Sequence, residues 1–126
     1  MKILIADPNR DLLEAYRHLL TIRGQEADCA FDGPQAVGAM TEKEYGLLIL
    51  GERIPRISPD RILSYARERG VKTILLRDQV RTKEGSAGTS GHEGLSDAQL
   101  SFPFLPGELY TLIDGLSASV KEEDHG

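Results

Sequence analysis

Chemistry in an open parallel sheet is usually placed at the carboxyl end of a central strand. The one stretch that reads as such a strand is 46–50, four large apolar residues (Leu47, Leu48, Ile49, Leu50) that stop abruptly at Gly51, with Pro55 four positions later. The residue at the reactive position, Gly51, has no side chain. The carboxylate expected to face it is Asp7, just past the apolar run 2–6. One carboxylate is a poor Mg²⁺ site, since that ion wants several oxygens in octahedral array. Glu52 and Asp78 each stand one residue beyond the positions that would face such a pocket, so alternation turns them away from it. Arg77 suits a carboxylate partner; it either pairs with Asp7 or is solvated separately.

The other reactive side chains carry weaker signals. Cys29 is the lone cysteine, which excludes an internal disulfide and any multi-cysteine metal site; a small, half-buried strand residue is its expected role. His18 reads as a surface helix residue, and His92 and His125 show no metal spacing. Glycines recur at 85, 88, 91 and 94, but the stretch lacks the Gly-Lys-Ser/Thr ending of a phosphate loop.

The elements that must position these residues follow from pattern. After the strand 2–6, Asn9 caps a helix whose Leu12, Leu13, Tyr16, Leu19 and Leu20 recur at helical spacing. Gly24 ends that helix. Residues 26–30 alternate as an outer strand would. Pro34 opens a short helix through about Met40, and Ser58-Pro59-Asp60 starts a third that Gly70 stops. A β-rich strand occupies 71–76 and a weaker one 98–102. Pro106 opens a last helix. Alternating strands and helices predict an α/β, doubly wound sheet of five parallel strands in the order 2-1-3-4-5. One stretch breaks the alternation. Between the fourth and fifth strands each of those glycines costs a helix about 1 kcal/mol, and nothing larger than Ala87 is apolar between Val80 and Leu95. The helix expected there is shortened or replaced by a Gly-rich flexible loop, with at most a helical turn near Ser96–Gln99. Glu84, Gly85, Ser86, Gly88, Gly91, His92 and Gly94 form a candidate partner-binding loop that would order on contact.

The chain has 126 residues and a net charge of -5. That fits one domain, with 1–120 as its body and 121–126 as a polar C-terminal tail. No dense basic run is present, which argues against direct nucleic-acid binding. The longest apolar run is too short to span a bilayer, and the N-terminal run is too short for a signal peptide. The expected location is cytoplasmic.

Over essentially its whole length the chain resembles the receiver domain of two-component response regulators, a flavodoxin-like, CheY-like fold. The residues that carry the likeness are Lys2–Asp7 with the capped helix, Phe31-Asp32-Gly33, Tyr45–Leu50 followed by Pro55, and Phe102-Pro103-Phe104. The resemblance implies phosphoryl transfer from a histidine kinase to an aspartate, aided by Mg²⁺ on an acidic pair, a Ser/Thr and a Lys. Carried over, the phosphoacceptor falls on Gly51, the acidic pair on Asp7 and Pro8, the Ser/Thr on Arg77, the Lys on Phe102 and the aromatic switch on Gln99. The pocket is therefore degenerate. The implied function is a phosphorylation-independent pseudo-receiver: a non-enzymatic protein-interaction module in bacterial signalling, with no cofactor, no tight Mg²⁺ and an unidentified protein partner. Homodimerisation stays open. Two readings compete: phosphotransfer with a displaced acceptor, and a small-ligand or anion sensor using the remodelled pocket.

Overall fold

The computed structural model describes residues 1–78, 96–102 and 104–125, apart from the side chains at 78, 102 and 117–125. The glycine-rich stretch, with the candidate loop 84–94 and the question of a helix there, lies outside the described residues. The elements run β1 (Lys2–Ala6), α1 (Arg10–Ile22), β2 (Glu26–Ala30), α2 (Gly33–Glu42), β3 (Leu47–Gly51), α3 (Pro59–Glu68), β4 (Lys72–Asp78), β5 (Ala98–Phe102) and α4 (Pro106–His125). The strands form one parallel sheet in the order β2-β1-β3-β4-β5, as the alternation predicts.

Burial explains why β3 sits at the centre. All five of its residues are buried, where edge strand β2 keeps only Ala30 so. Side chains alternate across the sheet. Leu4, Ala6, Leu48, Leu50 and Leu75 join Ala36, Met40, Ile62 and Leu63 in one core, under α2 and α3. Ile3, Ile5, Leu47, Ile49, Ile74 and Leu76 join Leu13, Tyr16, Leu20, Leu109 and Ile113 in the other, under α1 and α4. Each wholly buried Leu or Ile contributes about 1.5–3 kcal/mol, so β3 alone anchors both layers.

Local chemistry sets the helix ends. Asn9 Oδ1 accepts from the N–H groups of Asp11 and Leu12 at 3.0 and 3.3 Å. Asp32 Oδ1 accepts from Gln35 N at 2.9 Å, while Gln35 Oε1 reaches back to Phe31 N at 2.8 Å. Ser58 caps α3, ahead of Pro59. Gly24 and Gly70, at φ of 80° and 78°, carry the chain out of α1 and α3 through the left-handed region.

Three boundaries differ from expectation. Strand β4 continues past residue 76 because β5 pairs with its end, Arg77 to Ser101 and Asp78 to Phe102. Residues 96–97 form a bend and 98–102 a strand, so no helical turn stands near Ser96–Gln99; Asp97 is bound instead to Thr73, whose N–H donates to Asp97 Oδ2 at 2.8 Å. Helix α4 runs on to His125, through the stretch expected as a tail. Lys121, Glu122 and Glu123 are good helix formers and need no core to stay helical once the helix is nucleated.

Candidate functional site

Parallel register brings Ala6 beside Leu50, so the next residues, Asp7 and Gly51, stand side by side at the carboxyl ends of adjacent strands. By alternation both belong to the sheet face of Ile5 and Ile49, over α1 and α4. The backbone of Asp7 is tied down by its N–H to Ala30 O at 3.0 Å. Its Oδ1 accepts the N–H of Asn9 at 2.8 Å.

The other carboxylate oxygen decides what the site can do. A Cβ placed on Gly51 would overlap Asp7 Oδ2 and come within 3.0 Å of Asp7 Cγ. The carboxyl group of Asp7 therefore fills the volume into which any side chain at position 51 would project. Burial pushes the Asp7 carboxyl above the ordinary carboxylate range, while the Asn9 N–H and then the Arg53 charge pull it partly back. Beneath the site lies Tyr16, only 4% exposed, its hydroxyl without a hydrogen-bond partner among the described residues. Burial and then the Asp7 charge push that phenol up to about 12, so it stays neutral. Its ring stacks on Phe104 at 5.6 Å, closing the apolar floor.

Arg77 is not the partner of Asp7. Alternation places Arg77 with Leu75, on the α2–α3 face of the sheet, opposite Asp7. There Arg77 Nε lies 3.7 Å from Glu52 Oε1, and an Nη donates to Gln99 Oε1 at 3.2 Å. Neither guanidinium nor Glu52 is freely solvated: their side chains are 29% and 22% exposed. Pro8 is an exposed bend residue, and Phe102 contributes a strand position opposite Asp78.

The loop after β3 is fixed from the neighbouring helix. Gly33 N–H donates to Pro55 O at 3.0 Å. Arg56, at a left-handed φ of 77°, places its Nε 3.6 Å from Asp32 Oδ2.

Two residues of the site escape a reading of the sequence. Arg53 acts on Asp7 and Tyr16 floors the site only through the fold; Tyr16 looks like any apolar position of α1. Cys29 is exposed rather than half-buried, because β2 is the sheet edge. Partial desolvation raises its thiol pKa, the reverse of what a reactive cysteine needs.

The donor set for a divalent cation is poor. Asp7 offers one carboxylate, already bonded to Asn9 and facing Arg53, and Pro8 offers no side-chain oxygen. Among the described residues no three His, Cys, Asp or Glu side chains converge. These residues do not fit a Mg²⁺ site, which demands a near-octahedral oxygen shell. Two surface depressions lie along α1, at Asp11, Glu14 and His18, and along α3, at Asp60 and Ser64. No described helix is long and apolar enough to cross a membrane.

Comparison with known proteins agrees with this architecture. No family model matches the chain. The response regulator MprA of Mycobacterium avium is 27% identical over 128 residues, covering 98% of this chain and 54% of that protein. The response regulator PmrA of Pseudomonas aeruginosa is 30% identical over 117 residues, covering 93% and 52%. The chain thus spans about half the length of the curated relatives it matches. Among solved structures, the response regulator TrrA of Thermotoga maritima, bound to Mg²⁺ and beryllofluoride, superposes with a TM-score of 0.74 at 25% identity, covering 91% of this chain and 97% of that one. A receiver domain from Clostridium thermocellum reaches a TM-score of 0.81 at 20% identity, covering 95% and 96%. Relatives along nearly the whole chain, a sheet in the order β2-β1-β3-β4-β5 and these superpositions together give the chain the CheY-like receiver fold and a sequence similar to response regulators.

Proposed function

We propose that this receiver domain works without phosphorylation, as a regulatory protein-interaction module in bacterial two-component signalling. It is not an enzyme in this reading, and it needs no Mg²⁺. The observation that carries the proposal is the Asp7 carboxylate lying in the space of a side chain at position 51. Phosphoryl transfer to an aspartate needs a carboxylate nucleophile there and a metal to neutralise the transferring group. At this site the nucleophile is absent, and the remaining carboxylate is turned into the gap. The nearest displaced carboxylate, Glu52, belongs to the opposite face and lies against Arg77. The room that a small anion would need at Gly51 is taken by Asp7, which disfavours the sensor alternative.

Incubation with acetyl phosphate and Mg²⁺ tests the reading. The expected result is no phosphoryl mass gain, and no Mg²⁺- or beryllofluoride-dependent NMR shift at Asp7 or its neighbours. Gly51→Asp is expected to stay equally inert, because Pro8 and Arg77 still withhold the second acid and the hydroxyl. A phosphoryl adduct on the native chain would overturn the proposal.

A further inference from the structure

One side chain of β4 reaches groups from both strands that flank it. Arg77 of β4 faces Glu52, just after β3, and Gln99 of β5. Glu52 is itself anchored to β4, its N–H donating to Leu76 O at 3.0 Å. Gln99 pairs in register with Leu75, so it shares the sheet face of Arg77. Glu52 and Gln99 come from strands that are not neighbours, and the guanidinium between them is their shared partner. Arg suits this geometry because its planar fork donates in two fixed directions at once. The pair with Glu52 is largely withdrawn from solvent, where an ion pair is screened less than on an open surface.

We propose that Arg77 is a cross-strand latch that couples β5 to the loop after β3, so that an event at either place is felt at the other. The latch lies on the opposite face of the sheet from Asp7 and does not depend on whether that site takes a phosphoryl group. Loop 52–57 is joined in turn to α2, through Gly33 to Pro55 and Asp32 to Arg56. A partner that displaces Gln99 on the exposed side of β5 would therefore release one arm of Arg77 and loosen a loop two strands away.

The test is a mutant cycle read by amide hydrogen exchange, with the signal taken at the N–H groups of Glu52 and Ile54. Gln99→Ala is expected to speed exchange at those amides about threefold, the scale of coupling between residues of one polar network. In an Arg77→Ala background the same Gln99→Ala change is expected to have no further effect there. Should Arg77→Ala not fold, Arg77→Met keeps the apolar stem and serves as the background. No response of the loop amides to Gln99→Ala would overturn the proposal. So would an equal response with and without the guanidinium, since the coupling would then run by another route.

Discussion

Two glycines of this domain sit where a side chain would collide with a neighbour, and the neighbours differ in kind. At Gly33 an added Cβ would stand 2.6 Å from the Cβ of Ile57 and 3.0 Å from its backbone nitrogen. At Gly51 it would meet the carboxylate tip of Asp7. The first glycine is required because two stretches of backbone touch: the start of α2 and the end of the loop after β3. The second leaves a space that a movable side chain has entered. A close approach of backbones tells of folding. A filled space at a strand end tells of what the site can hold.

The largest expected effect follows from the rigid contact. Gly33→Ala must push Ile57 and its backbone aside, and overpacking of this kind costs roughly 1–3 kcal/mol. Urea unfolding is expected to show a lower midpoint with an unchanged slope. Ile57→Ala removes only the second contact, Cγ1 at 2.9 Å, and keeps the closer Cβ, so it should recover less of the loss than Ile57→Gly. Full rescue by Ile57→Ala would mean that the outer side chain alone causes the loss, and the contrast with Gly51 would collapse.

Gly51→Ala should cost less. The backbone there is ordinary strand, so alanine is free of conformational strain, and Asp7 can turn away. Turning away forfeits the Asn9 hydrogen bond, worth about 1 kcal/mol, while replacing a strand glycine recovers about 0.5–1 kcal/mol. The net loss is expected below about 1 kcal/mol on these scales. In an Asp7→Ala background the same change should become stabilising, because the collision is absent and the gain remains. Equal effects of Gly51→Ala in both backgrounds, measured by urea unfolding, would show that Asp7 does not occupy the vacancy.

The two glycines were also unequally legible. Asp32-Gly33-Pro34 announces a helix start, and Asn9, Ser58, Gly24 and Gly70 mark other boundaries, because caps and stops act within a few residues of themselves. The run Leu47–Leu50 shows a doubly buried strand, and with it the sheet order. Gly51 is legible as a strand end without a side chain, but its filling by Asp7 is not, since a side-chain rotamer over a neighbouring strand leaves no local trace. Arg77 shows the same limit. The sequence leaves it either paired with Asp7 or separately solvated, and neither holds. Counting the alternation along β4 from Leu75 puts Arg77 on the other face, with Glu52 and Gln99. That count needed the strand's true end at Asp78, which β5 fixes by pairing and the apolar run 71–76 does not show.

The smallest effect probes the electrostatics of the filled vacancy. Burial raises the pKa of Asp7 in the folded state above its value of 3.8 in a model chain. The folded protein therefore holds this proton more firmly than the unfolded one, and stability from this group is present below 3.8 and lost as pH rises through the folded pKa. Asp28 works the other way: the Tyr45 hydroxyl, donating at 2.7 Å, is the main cause that lowers its pKa, so its contribution is present at neutral pH and lost on acidification. The acid titration of the native chain mixes both, and only a difference between variants isolates Asp7. Asp7→Asn keeps an oxygen for the Asn9 N–H and removes the charge. Its urea midpoint is expected to exceed the native one at neutral pH, with the gap closing as pH falls through the carboxylate range. A variant less stable than the native chain at neutral pH would mean that attraction to Arg53 outweighs desolvation. The carboxylate over Gly51 would then be held in its gap by charge as well as by shape, making Asp7 and Arg53 the pair to break next.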